Sequence, residues 1–326
     1  MLKAEYQTRG PIPQDVIDAV PLELGELGDD EVLLQLVGSP INPSDVLTLT
    51  GDYGILPPLP AVGGSEGIAK VIEKGANASL EVGSYALVPF GSGAWATHFK
   101  AKVDELTPMP NAADPLQLAM LGVNPPTASL LLSEFVNLQV GDWVIQNTAN
   151  SGVGTYLIQL AKQRGLKTVN IVRRESLIEP LKAMGADVVL VDSDQLADEV
   201  AKATNDADIK LAVDAVAGGA TEKLAQVLAH GATLVTYGAM SGESSQVSPM
   251  SLIFKDITVR GFWLARWLQE APVAQQQALY QELAGLIASG KLATPIDKTF
   301  PVSDIKAAIE YAVQPGRDGK VLITAE

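Results

Sequence analysis

GDWVIQNTANSGVGTYLIQLAKQRGLKTVNIVRR, residues 141–174, decides the fold. Residues 142–146 form a short apolar run of β-formers. A turn of small residues follows, after which Gly154, Leu157, Ile158 and Ala161 recur at helical spacing. Gly165 breaks that helix, and residues 168–172 make a second β-rich run ending in two arginines. Strand, tight loop, helix and strand within about 30 residues is the βαβ half of a dinucleotide-binding fold.

The loop departs from the usual G-x-G-x-x-G. ANSGVG places Ala149 and Ser151 where the first two glycines would stand, and only Gly154 keeps its place. Its context carries the inference. Small residues let backbone approach a pyrophosphate, and a helix starting near Gly152 offers its free N–H groups to that anion. The end of the second strand selects the dinucleotide. A carboxylate there accepts from the ribose 2′-hydroxyl and repels a 2′-phosphate, whereas this chain has Arg173 and Arg174, whose guanidinium forks suit a phosphate. The expected cofactor is NADPH.

Outward from this unit the alternation continues. Helices are predicted over 125–135, 177–184, 195–203 and 219–228, and strands over 188–191, 209–215 and 233–237. This is an α/β, doubly wound parallel sheet. Residues 1–120 differ: they are rich in β-formers, glycine and proline and poor in helical period, with strands expected over 32–37, 61–73, 85–88 and 95–101. After a β-rich run over 259–262, the elements expected over 274–289, 305–311 and 320–324 have no βα partner in the wound sheet. A mostly β catalytic domain built from 1–120 plus 267–326, with a nucleotide-binding domain over 121–266 inserted into it, accounts for the pattern.

The 326 residues suffice for about two cores, and a formal charge of −15 works against nucleic acid or an anionic membrane as partner. No apolar run is long enough to span a bilayer, and the N-terminus lacks a basic-then-apolar signal, so a cytoplasmic location is expected. With no cysteine there is neither a disulfide nor a thiolate metal site. His98 and His230 stand far apart, read as ordinary surface or capping histidines, and make no metal pair.

Four stretches, GSPINPSDVLTLTGDYGILPPLPAVGGSEG (38–67), LGVNPPTA (121–128), VIQNTANSGVG (144–154) and GFWLARW (261–267), resemble the medium-chain dehydrogenase/reductase superfamily. Within it they are most similar to the mitochondrial trans-2-enoyl-CoA reductase group. The resemblance covers nearly the whole chain and implies that the β domain is GroES-like. Alcohol-oxidising members hold a catalytic zinc through residues of two of these stretches; the matching positions here are Asn42 and Ser65, so no metal is expected. Hydride delivery to an isolated ketone needs strong polarisation of the carbonyl. A conjugated thioester needs less, because hydride at the β-carbon sends charge onto a carbonyl oxygen that a hydrogen bond can stabilise.

The resemblance implies Tyr53 and Trp263 as catalytic residues. For the cofactor it implies Asn42, Asn124, Asn150, Ser151, Gly152, Val153, Gly154, Arg173, Arg174, Glu175, Tyr237, Gly238, Ala239, Met240, Phe262, Trp263, Leu264 and Lys320. Glu175 departs from the basic residue usual at its position. The expected reaction is NADPH-dependent reduction of a 2-enoyl thioester of CoA or acyl carrier protein. The alternatives are a zinc-independent quinone or alkenal reductase and, from another class, a non-catalytic NADPH-binding interaction protein. A homodimer is also expected, since residues 248–262 carry an apolar β-rich stretch that would be costly to expose.

Overall fold

The structure, a computed structural model, describes residues 1–317 and 319–326. Its contacts divide the chain into two units, Met1–Val123 with Val273–Glu326, and Asn124–Pro272. The sequence pattern sets these junctions a few residues earlier, at 120/121 and 266/267.

The first unit begins with β1 (Leu2–Tyr6), β2 (Ile17–Pro21), β3 (Glu31–Pro40), α1 (Pro43–Thr50), β4 (Ala61–Val62), β5 (Ile68–Lys74), β6 (Tyr85–Leu87), β7 (His98–Lys102), β8 (Thr107–Met109) and α2 (Pro115–Leu118). The long β3 is the axis of a mainly antiparallel sheet, pairing with both β5 and β7. Its side chains alternate between buried and half-buried over most of its length, as a sheet with one face on a core requires.

The predicted strand over 61–73 is in fact two. Gly63 and Gly64 separate β4 from β5 because they lie under buried Trp95; a Cβ on them would fall 2.2 and 2.5 Å from its ring, and Gly64 also has φ +87°. Helix α1, absent from the expectation of a helix-poor N-terminal region, forms because Pro43 occupies its first turn and the Asp45 carboxylate accepts from Asn42 N at 2.8 Å. Gly51, at φ +92°, ends it.

The second unit contains α3 (Asn124–Leu131), β9 (Trp143–Gln146), α4 (Gly152–Gln163), β10 (Lys167–Val172), α5 (Ile178–Met184), β11 (Val188–Val191), α6 (Leu196–Thr204), β12 (Ile209–Asp214), α7 (Gly219–Val227), β13 (Thr233–Thr236), β14 (Thr258–Gly261) and α8 (Leu264–Glu270). Its six strands are all parallel, in the order β11-β10-β9-β12-β13-β14. This confirms the doubly wound sheet. Ile145, Val169, Ala212 and Leu234 from the central strands are buried in one core with Leu196, Val200 and Leu224 of the helices. At the free edge every residue of β14 is exposed.

The chain then returns to the first unit through α9 (Val273–Ala288), β15 (Ile296–Pro301), α10 (Ile305–Val313) and β16 (Lys320–Thr324). β16 runs antiparallel to the end of β3, with Leu322 opposite Pro40 and Ile323 opposite Ser39. Both ends of the chain thus share one sheet. Ile305, Ile309, Val321 and Ile323 bury against Tyr6, Ile17, Leu49 and Trp95.

Candidate cofactor site and active site

In the second unit the loop 147–151 carries the chain from β9 into α4. A Cβ on Gly154 would lie 2.6 Å from the Ala149 carbonyl oxygen, so glycine alone lets the first helical turn sit this close to the loop. Ser151 caps the helix, its Oγ accepting from Gly154 N at 3.1 Å. The N–H groups of Gly152 and Val153 have no acceptor among the described residues. They are orphan donors at the positive end of a 12-residue helix, the chemistry that receives a phosphate. Asn124 is buried beside them, its amide 3.1 Å from where a Gly152 Cβ would be. Asn124 and the 151–154 turn are therefore gathered in one place.

The loop rests on buried polar residues that the sequence pattern does not single out. Asn147 Nδ2 donates to Asp214 Oδ1 at 2.7 Å, and Asn147 Oδ1 accepts from Ala215 N at 2.8 Å. Asp214 also accepts from Val216 N, Ala217 N and the Thr221 hydroxyl. Gln146 Nε2 donates to Gly154 O and to Asn170 Oδ1. These bonds lock the ends of β9, β10 and β12 to the loop between them. Their one sequence signal is a polar side chain at the carboxyl end of an otherwise apolar strand.

Arg173 and Arg174 follow the last residue of β10, the strand paired with β9. Both are exposed, and neither guanidinium has a hydrogen-bond or ion-pair partner among the described residues. Glu175 is exposed beside them. Tyr237 leaves β13 with its N–H on Asp214 O; burial pushes its phenol up to about 12, while the adjacent Ser151 and Thr148 hydroxyls work the other way. Gly238 runs close to Ala215, where a Cβ would lie 2.9 Å from its carbonyl oxygen. Ala239 and Met240 are exposed. Past β14, Phe262 packs edge-on to Phe135 at 5.8 Å, Trp263 is partly exposed and Leu264 is buried.

Tyr53, Asn42 and Lys320 belong to the first unit. Tyr53 is half-buried in the turn after α1, with its N–H on Leu47 O at 3.1 Å. Asn42 is buried at the start of α1. Its Nδ2 donates to Glu66 Oε1 at 2.7 Å, and its Oδ1 accepts from Lys320 Nζ at 2.5 Å. Glu66 Oε2 accepts from Val123 N at 2.8 Å, an approach that requires Gly122, where a Cβ would fall 2.7 Å from that of Glu66.

Burial raises the Glu66 carboxyl above its ordinary range, with the Lys320 charge opposing. Burial lowers the Lys320 ammonium, with Glu66 and Asp45 opposing. Asp45 is pushed up to about 6 by burial, against the hydrogen bond from Asn42 N. The sequence expectation includes Asn42 and Lys320 but not Glu66 or Asp45. A zinc ion does not fit here: the donors are an amide and a hydroxyl instead of thiolate or imidazole, and the amide already holds an ammonium that would repel a cation.

Such a wound sheet, with this helix terminus and a β unit built from both chain ends, defines a medium-chain dehydrogenase/reductase. Residues 28–111 match the family described as alcohol dehydrogenase GroES-like domain, and 152–280 that described as zinc-binding dehydrogenase. The mitochondrial enoyl-[acyl-carrier-protein] reductase of Homo sapiens is 37% identical over 319 residues, 96% of this chain and 86% of that protein. That of Caenorhabditis elegans is 40% identical over 84% of this chain and 82% of its own length.

Among solved structures, a protein described as an NADPH:quinone reductase from Bacillus thuringiensis superposes with a TM-score of 0.90 at 28% identity, covering 100% and 99% of the two chains. The Etr1p complex with NADP and crotonyl-CoA does so at 0.89 and 26%, covering 99% of each. The chain belongs to the mitochondrial enoyl-[acyl-carrier-protein] reductase family. The expected cytoplasmic location is overturned by these relatives, whose names point to mitochondria.

Proposed function

We infer that this chain reduces the carbon–carbon double bond of 2-enoyl thioesters with NADPH. One observation carries the reaction class: where a metal ligand would stand, Asn42 is an amide committed to Glu66 and Lys320. Polarisation of the substrate carbonyl is thereby left to hydrogen bonding, which serves a conjugated acceptor better than an isolated ketone. The relatives named enoyl-[acyl-carrier-protein] reductase, and the likeness to a complex with NADP and crotonyl-CoA, support the same substrate class.

NADPH, when bound, supplies the hydride. The chain holds its pyrophosphate on the N–H groups of Gly152 and Val153, with Asn150, Ser151 and Gly154 shaping the turn. Arg173 and Arg174 take the 2′-phosphate, with Glu175 at their side. Tyr237, Gly238, Ala239 and Met240 line the adenosine side. Asn124, Phe262, Trp263 and Leu264 bracket the nicotinamide, and Asn42 and Lys320 join the cofactor set as a bonded pair. The Tyr53 hydroxyl would donate a hydrogen bond to the thioester carbonyl oxygen as charge accumulates there, and a proton drawn from solvent water would then complete the reduction at the α-carbon.

Assembly as a homodimer is part of the proposal. It is supported by the exposed edge strand β14, paired on one side with β13 and open on the other, and by the exposed Met250, Ile253 and Phe254 on the wide helical turn before it. The likeness to a structure described as the Etr1p/Etr2p heterodimer of Candida tropicalis, a two-chain assembly, supports the same reading.

The test is Tyr53→Phe, which keeps the ring. If the hydroxyl stabilises developing negative charge, turnover of crotonyl-CoA should fall about 100- to 1,000-fold with little change in NADPH affinity. Pre-steady-state NADPH oxidation at a near-normal rate would remove Tyr53 from the chemistry. A second reading, reduction of quinones or alkenals, draws on the Bacillus thuringiensis likeness. Fast turnover of a quinone beside poor turnover of every enoyl thioester would replace the first reading with it.

A further inference from the structure

The segment from Gly54 to Pro60 follows Tyr53 and is exposed throughout. Pro57, Pro58 and Pro60 have no N–H to donate. Behind it, the N–H groups of Gly51, Asp52 and Tyr53 all converge on Leu47 O. Ahead of it, β4 pairs with β1. Between these anchors one hydrogen bond ties the segment to the rest of the described residues: Arg9 Nη2 donates to the Pro57 carbonyl.

Arg9 also reaches the other end of the turn. Its Cδ and Cβ lie 3.4 and 3.6 Å from where a Cβ on Gly51 would be, so its aliphatic stem packs over the left-handed residue that closes α1. The neighbouring Gly10 N donates to Leu49 O in the last turn of α1 at 3.2 Å, which seats the 9–10 segment across the helix end. The guanidinium is backed by buried Tyr6, its carbon 6.0 Å from the ring centroid. Stem on Gly51 and tip on Pro57, Arg9 spans the turn that presents Tyr53.

We propose that Arg9 is the positioning residue for Tyr53, a strut that fixes the 51–60 turn so that the phenol is held in its productive place. It touches neither substrate nor cofactor and acts through the tyrosine. The proposal rests on the role assigned to Tyr53 above. Displacing a reacting group by about 1 Å can cost on the order of 100-fold in rate, and loss of the strut leaves the segment between its two anchors with no other hydrogen bond to the rest of the described residues.

The experiment is a double-mutant cycle in kcat and KM for crotonyl-CoA reduction, using Arg9→Met, Tyr53→Phe and the pair. Arg9→Met keeps the stem and removes the donors. Its kcat should fall about tenfold or more with the Kd for NADPH unchanged. Arg9→Lys, which still donates to Pro57, should recover most of that loss. On the Tyr53→Phe background Arg9→Met should cost nothing further.

A normal kcat for Arg9→Met beside a slow Tyr53→Phe overturns the strut and leaves the reading of Tyr53 intact. The same fold-loss on both backgrounds also overturns it, since Arg9 would then act by another route. A normal Tyr53→Phe rate refutes the role of Tyr53 itself, and the strut with it. Should Arg9→Met fail to fold, Arg9→Gln, whose shorter amide falls short of Pro57, takes its place under the same criteria.

Discussion

Replacing both Arg173 and Arg174 with alanine tests the choice of cofactor most directly. Each side chain is exposed and has no hydrogen-bond or ion-pair partner among the described residues, so truncation breaks no bond among them and leaves no buried group unsatisfied. Stability should therefore stay within about 0.5 kcal/mol of the parent. A charge-assisted hydrogen bond is worth roughly 1.5–3 kcal/mol, and solvent exposure favours the lower end. Two such contacts give about 3 kcal/mol, or roughly 150-fold in the Kd for NADPH. NADH, which lacks the 2′-phosphate, should bind almost unchanged.

Fluorescence titration with both nucleotides, at low and moderate salt, reads the effect. The parent's preference should shrink as salt rises, because exposed charges are screened over roughly 8–10 Å, while the variant's residual preference should barely respond. A double variant that still prefers NADPH by the parental factor would place the phosphate-binding group elsewhere. Equal losses for NADH and NADPH would instead mean that the end of β10 had been deformed.

Two other expectations follow from the buried acids and the sheet edge. Asp45 holds its proton up to about pH 6, against an ordinary 3.8, so the native state binds more protons than the unfolded one between these values. Its contribution is fully present below the lower value and is lost as pH rises through the upper, a difference on the order of 3 kcal/mol. Asp45→Asn should therefore gain stability relative to the parent between pH 4 and 6.5 in urea titrations, and a pH-independent difference would refute the assignment. Light scattering should give twice the 34.3 kDa chain mass for the parent, and Ile253→Glu with Phe254→Glu should return it to one chain; an unchanged mass would free the β14 edge from the proposed dimer.

The wound sheet was legible because its signals are local. Apolar runs such as 168–172 and 209–214 are short, β-rich and separated by helical patterns, and each βα step sets its neighbour without help from distant residues. The turn proposed to hold the pyrophosphate is local for the same reason: Ser151, Gly154 and the arginines lie within one βαβ unit. Helix α1 was not, because Pro43 and the β-branched and small residues after it have weak intrinsic helix preference. What forms it is a capping carboxylate, a left-handed glycine and burial of Leu49 under Trp95 and Ile305. The break at Gly63 and Gly64 depends on Trp95, some thirty residues away, which no window over the strand can contain.

The buried cluster on Asn42 lies further still from what a linear pattern can show. Its side-chain bonds to Glu66 and Lys320 join residues 24 and 278 positions away, and neither Glu66 in GGSEG nor Lys320 in GKVLI carries a mark of burial in its own neighbourhood. Taking either charge out of water alone would cost several kcal/mol, so each is tolerable only because the other is present and because Asn42 offers a donor to one and an acceptor to the other. An aspartate at position 42 would face Glu66 without the amide N–H that now bonds to it, and a leucine would strand both charges. The asparagine at the position that the family resemblance matches to a zinc ligand thus has a role of its own: its amide N–H serves the Glu66 carboxylate while its carbonyl oxygen accepts from the Lys320 ammonium, and the positive charge it holds occupies the electrostatic place that a cation would need.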